Sequence, residues 1–172
     1  MIKRYVDKDT IIELLDGLEK MQGRKTLFID MDGVIADFEA LAEVWADERN
    51  ITMQEFLDRH MYREKDFYLN LPLMPGAKEA IEKLDEKYYI VFLSAPSWGG
   101  PDSFTEKRHW VENNFGDTFK KRMDLSFHKG HYMGHYLIDD RVKYGASDFI
   151  GEHIMFGNRE YPDWDAVLKY LL

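Results

Sequence analysis

Short apolar runs that stop abruptly on a polar side chain set the tightest limit on how this chain can fold. Thr26-Leu27-Phe28-Ile29 ends on Asp30, Tyr88-Tyr89-Ile90-Val91-Phe92-Leu93 ends on Ser94, and Tyr136-Leu137-Ile138 ends on Asp139-Asp140. Runs this short, without alternating polarity, suit strands buried on both faces. Met123 to Phe127 and His153-Ile154-Met155-Phe156 read as two further strands. Helical patterns lie between and around them. Ile11, Ile12, Leu14, Leu15 and Leu18 are spaced for a helix over residues 8–21 that stops at Gly23, and Ala77 to Glu86, Phe104 to Asn114 and Asp163 to Leu172 follow the same reasoning. Strands alternating with helices predict a three-layer α/β/α domain with a mainly parallel sheet. Such sheets hold ligands beyond the carboxyl ends of their strands, so Asp30, Ser94 and Asp139 are expected to converge.

Length and charge narrow the function. The chain has 172 residues, enough for one domain with a small insertion, and 45% of them are hydrophobic. A net charge of −9 argues against a grip on a nucleic-acid polymer. It leaves room for a mononucleotide, whose single phosphate needs only a few local cations or a metal. The lack of cysteine rules out disulfides and thiolate metal sites. Met1 to Thr10 is charged, without the apolar centre of a signal peptide, and no apolar run approaches the ~18 residues that span a bilayer. A cytoplasmic protein with no membrane partner is the expectation, and the oligomeric state is left open.

The chemistry begins at Asp30-Met31-Asp32-Gly33. Alternate residues of an extended segment face the same side, so Asp30 and Asp32 can share one space, and Gly33 permits a sharp turn after them. One carboxylate can attack phosphorus while its neighbour moves protons. Carboxylates beside a phosphate need a cation. Mg²⁺, which takes oxygen ligands and keeps several waters, fits that need, with Asp139 or Asp140 completing the set.

Asp30-Met31-Asp32-Gly33-Val34, Leu93-Ser94-Ala95-Pro96, Lys129 and Leu137-Ile138-Asp139-Asp140-Arg141 resemble the four ordered motifs of the haloacid dehalogenase-like phosphatases. More narrowly, the string through Ala36-Asp37-Phe38, with Pro75-Gly76-Ala77, resembles the 5′(3′)-deoxyribonucleotidases. The resemblance covers about residues 24–160. It implies a Rossmann-like core of residues 24–33 and 72–172 and a small helical cap (34–71) inserted after the first strand; the N-terminal helix (1–23) is not a family feature and is expected to pack on the core or to serve an oligomer interface. By resemblance Asp30 is the nucleophile and a metal ligand, and Asp32 is the general acid/base and binds the metal through its carbonyl. Ser94 and the backbone at Ala95 hold the phosphate, and Lys129 neutralises it. Of Asp139 and Asp140, one binds Mg²⁺ and the other supports it, with Asp139 favoured because it leaves the strand first. Phe38 matches a position lining the base or sugar pocket, and Lys107 a substrate-side lysine. The implied reaction is Mg²⁺-dependent hydrolysis of a (deoxy)nucleoside monophosphate through an aspartyl-phosphate.

Taken singly, each helper has a plainer explanation: Ser94 as a loop residue, Lys129 as a surface charge, Phe38 as core. The chain carries Ser94-Ala95 where vertebrate-like members carry Thr-Ser, and its cap segment is shorter. The alternative substrate is a sugar phosphate or another small phosphomonoester. A non-catalytic binding module is disfavoured because every motif side chain is present. His128, His131 and His135 are close enough in sequence to suggest zinc, but Gly130 and Gly134 disfavour a regular helix there and no fourth ligand lies at motif spacing.

Overall fold

The computed structural model describes residues 6–172, apart from the side chain of Tyr62. The first five residues of the expected N-terminal segment, and the Tyr62 ring, lie outside the described residues. Five strands, β1 (Lys25–Ile29), β2 (Tyr88–Ser94), β3 (Met123–Leu125), β4 (Met133–Asp139) and β5 (Ile150–Met155), form one sheet in the order β3-β2-β1-β4-β5. Every neighbouring pair is parallel. With helices on both faces, the fold is a three-layer α/β/α sandwich with a parallel Rossmann-like sheet, as the alternating pattern predicts.

Alternation along β1 shows why the runs are continuously apolar. Leu27 and Ile29 enter the larger core with Ile90, Phe92, Ile138 and Ile154, while Phe28 joins Leu93, Leu137 and Phe149 on the opposite face. A central parallel strand covered on both sides leaves no position for a polar side chain until it ends. The chain leaves β1 for β2 on one side and returns to β4 on the other, so the switch in strand order falls at the strand carrying Asp30.

Helix α1 (Lys8–Gln22) begins on Asp7, whose carboxylate accepts from Thr10 N–H at 2.9 Å, and ends on the left-handed Gly23. It packs on β1, β4 and β5 without fully burying any residue. Helices α2 (Phe38–Glu48) and α3 (Met53–Arg59), with short 3₁₀ turns, occupy most of the stretch between β1 and α4 (Ala77–Asp85). Helix α5 (Asp102–Phe115) follows β2, and α6 (Trp164–Leu171) closes the chain against α4. No helix among the described residues is long and apolar enough to cross a membrane.

The two ends of the inserted segment run side by side. Asp37 N–H donates to Pro72 O at 2.8 Å and Met74 N–H to Ile35 O at 2.8 Å. Two buried indoles then fix them. Trp164 Nε1 donates to Val34 O at 2.9 Å, and Trp110 Nε1 donates to Leu71 O at 2.7 Å. Inside the segment, Phe38, Trp45, Phe56, Phe67 and Tyr68 pack ring against ring, with centroids 5.3–6.3 Å apart. Replacing Trp164 by Phe should leave the carbonyl of fully buried Val34 unpaired. A loss of about 1–3 kcal/mol in unfolding free energy is expected from urea titration, and an unchanged midpoint would show that the bond contributes nothing.

Candidate active site

The ends of β1, β2 and β4 bring the motif side chains together. Asp30, Asp32, Ser94, Ala95, Lys129, Asp139, Asp140, Arg141, Lys143 and Tyr144 line one cleft of about 50 Å³. Wider cavities of about 400 and 420 Å³ lie along α5 and contain none of these carboxylates.

Lys129 is the central cation. It is 2% exposed, lies 3.0 Å from Asp30 Oδ1, and makes a short hydrogen bond to Asp139 Oδ2. Burial on its own would lower the pKa of this ammonium, but the charges of Asp30 and Asp139 outweigh it and raise the value. Asp139 is buried too. Desolvation, with the Asp30 charge adding to it, pushes its carboxyl up to about 7 against the opposing pull of Lys129. Its second oxygen accepts from Arg141 N–H at 2.9 Å, so both Asp139 oxygens have protein partners.

Asp140 differs. Its Oδ1 is buried without a hydrogen-bond partner and its Oδ2 faces Arg141 Nε at 3.3 Å, whereas Asp30 Oδ1 is ion-paired with Lys129. One carboxylate oxygen from each of Asp30, Asp139 and Asp140 falls within 4.8 Å of the others. An all-oxygen set of this kind suits a hard divalent cation. Asp139, which leaves the strand first, has both oxygens engaged by protein groups, and the member of the pair left with an unpartnered oxygen is Asp140. Gly33 makes room for it. Its φ is +78°, and a Cβ there would sit 2.6 Å from Asp140 Oδ2.

Asp32 is served by a second lysine. Lys107 Nζ, fully buried, donates to both Asp32 oxygens at 2.7 Å and to Ser94 Oγ at 3.0 Å. It also sits 4.8 Å over the Tyr68 ring. Burial raises the Asp32 carboxyl pKa, opposed by the Lys107 charge and reinforced by Asp30. Lys107 thus bridges two motif residues rather than extending toward solvent.

Phe38 is placed in the aromatic packing of the inserted segment, against Phe67 and Tyr68. The three histidines do not converge on a metal site. His128 and His131 stack on each other at 5.1 Å, while His135 accepts from Thr26 N–H at 3.0 Å beneath α1. Sequence reading passed over Glu106, whose carboxylate accepts from Asp66 N–H at 2.7 Å and Tyr68 N–H at 3.0 Å. A signal for it existed. Ser103, Glu106, Lys107, Trp110 and Val111 share one buried face at helical spacing, but three of the five are polar, so an apolar-stripe search does not see them.

The family model described as 5′ nucleotidase, deoxy (pyrimidine), cytosolic type C protein matches residues 24–164. A protein of Vibrio phage KVP40 named "Putative 5′(3′)-deoxyribonucleotidase" is 38% identical over 152 residues, covering 88% of this chain and 87% of the relative. The human 5′(3′)-deoxyribonucleotidase, cytosolic type, is 26% identical over 83% of this chain and 78% of its own length. A hydrolase of the haloacid dehalogenase family from Deinococcus radiodurans, solved with phosphate and sodium bound, aligns with a TM-score of 0.46 at 12% identity, covering 86% of this chain and 88% of that one.

The raised Asp139 carboxyl gives a pH signature. A carboxyl favoured in its protonated form by the fold adds stability that is full below its unfolded value of 3.8 and is lost as pH rises through about 7. In EDTA, the stability advantage of wild type over Asp139→Asn should therefore shrink from pH 4 to pH 7 in denaturant titrations. Parallel profiles would refute the assignment.

Proposed function

Because the chain belongs to the 5′(3′)-deoxyribonucleotidase family, and so to the haloacid dehalogenase-like phosphoric monoester hydrolases, we propose that it hydrolyses (deoxy)nucleoside monophosphates through a phosphorylated Asp30. The observation that carries this reading is the meeting of carboxylate oxygens from Asp30, Asp139 and Asp140 within 4.8 Å of one another, beside Lys129 and Ser94. Asp30 attacks phosphorus, the bond from phosphorus to the ester oxygen breaks, and Asp32 delivers its proton to the departing alkoxide. Asp32, now a carboxylate, takes a proton from water. That water's oxygen attacks phosphorus, and the bond to Asp30 breaks, releasing phosphate and restoring both carboxyl groups. A raised pKa fits Asp32 for the donor half of the cycle, and the Lys107 ammonium steadies it for the acceptor half.

Lys129 offsets the charge of the phosphate and holds Asp30 in place, while Ser94 Oγ and the backbone at Ala95 border the phosphate oxygens. Asp30 and Asp140 would hold Mg²⁺, joined by the Asp32 carbonyl, with Asp139 supporting through Lys129. When bound, the ion neutralises charge that develops on the phosphoryl group. The segment 34–71 acts as a helical cap on a core of residues 24–33 and 72–172, with the N-terminal helix packed outside. We place the activity in the cytoplasm, the compartment in the human relative's name.

Asp30→Asn should abolish phosphate release while leaving the circular dichroism spectrum intact, and turnover at the wild-type rate would remove Asp30 as nucleophile. Asp32→Asn should lower kcat by about 10²–10⁴. EDTA should silence the wild type and Mg²⁺ restore it; metal-independent turnover would contradict the ligand set. Across a panel of nucleoside 5′- and 3′-monophosphates and sugar phosphates, kcat/KM should favour nucleotides. If sugar phosphates win, the substrate assignment fails and the phosphatase chemistry stands.

A further inference from the structure

Among the described residues, Glu106 is the one buried carboxylate that does not line the phosphate cleft. A carboxylate taken out of water needs partners for both oxygens. Glu106 finds them in the backbone: Oε1 accepts from Asp66 N–H at 2.7 Å and Oε2 from Tyr68 N–H at 3.0 Å. The chain is bent to offer them. Asp66 is left-handed, with φ +63°, and Phe67 follows in the right-handed region, with φ −58° and ψ −55°. Alternation of that kind points neighbouring N–H groups at one spot and makes an anion-binding hollow. Here a side chain of α5 fills it.

The Tyr68 ring hangs on this clamp. It is 6% exposed, and Lys107 Nζ lies over it, 4.8 Å from its centroid. Lys107 is fully buried and donates to three oxygens, the two of Asp32 at 2.7 Å and Ser94 Oγ at 3.0 Å. The ring gives the charge a further contact. A buried ammonium keeps its place only while its whole surroundings are held. Glu106 and Lys107 are consecutive on α5, so one turn of helix holds the ring's backbone and presents the ammonium to its face. Anchoring the inserted segment would be a simpler task, but Trp110 already does that through Leu71 O. The clamp on Tyr68 adds a contact that bears on Lys107.

We propose that Glu106 is a positioning residue for proton transfer. By clamping the backbone of Asp66 and Tyr68 it holds the Tyr68 ring on Lys107, and through Lys107 it keeps the Asp32 carboxyl aimed at the leaving oxygen. This inference rests on the reading of Asp32 as the proton donor and deepens it. Glu106 supplies no proton itself and acts through geometry alone.

The leaving group separates such a role from general stability. A nucleoside departs as an alkoxide that needs a proton, whereas p-nitrophenolate departs without one. The readout is kcat/KM for a deoxynucleoside monophosphate divided by kcat/KM for p-nitrophenyl phosphate, both in Mg²⁺ buffer. Glu106→Gln keeps one acceptor oxygen and loses the other, and it should lower this ratio by about 10- to 100-fold. Tyr68→Leu should do the same, and the double variant should fall no further than either alone. Asp32→Asn sets the scale and should lower the ratio too. If it does while either of the other variants keeps the wild-type ratio, the positioning role is overturned and the proton donor stands. A double variant that falls by the product of the two single effects overturns the path through the ring. If Asp32→Asn itself leaves the ratio unchanged, the proton-donor reading fails and the positioning role with it. Should Glu106→Gln fail to fold, Tyr68→Leu decides, and an unchanged ratio there refutes the proposal.

Discussion

Carboxylates crowded at the ends of adjacent buried strands repel one another, and everything around them answers that repulsion. Asp30 and Asp139 leave β1 and β4 side by side, in a place where water cannot screen them. Lys129 lies between them, and Lys107 plays the same part for Asp32. Arg141 pairs with Asp140 through Oδ2, and Asp140 Oδ1 stays buried without a partner. A protein selected for stability alone would not keep such an arrangement, since buried ion pairs seldom repay their desolvation. Its persistence makes sense if a cation and a phosphate complete it.

Most of the fold was legible because it follows from short-range pattern. Strands β1, β2 and β4 announce themselves as apolar runs with polar ends, and the helices as apolar stripes before a glycine or turn. The site was legible to the same extent, since Asp30, Ser94, Lys129 and Asp139 occupy strand ends or the loop beside them. What stayed hidden depends on partners distant in sequence. Lys107 reads as one charge among several in Glu106-Lys107-Arg108, and only the folded chain shows it buried against Asp32, 75 residues away. The roles of Asp139 and Asp140 depend on which carboxylate Lys129 and Arg141 N–H occupy, and no spacing rule contains that.

The inserted segment illustrates a further division. Its aromatic content suits a ligand pocket and a small core alike, and packing decides for the core in the rings of Phe56 and Phe67. A segment with two short helices has little else with which to bury apolar surface.

Helix α5 has a consequence beyond this one chain. Glu106 and Trp110 grip the backbone of residues 66–71, while Lys107, between them, reaches Asp32 and Ser94. The inserted segment is thus not an interchangeable module fitted to an independent core. A chimera that imports another relative's insertion must import a matching α5 face with it, or the graft will loosen the very lysine that Asp32 leans on. Diversification of substrate choice in such a fold is bound to the covariation of two regions far apart in sequence, joined by a single turn of helix.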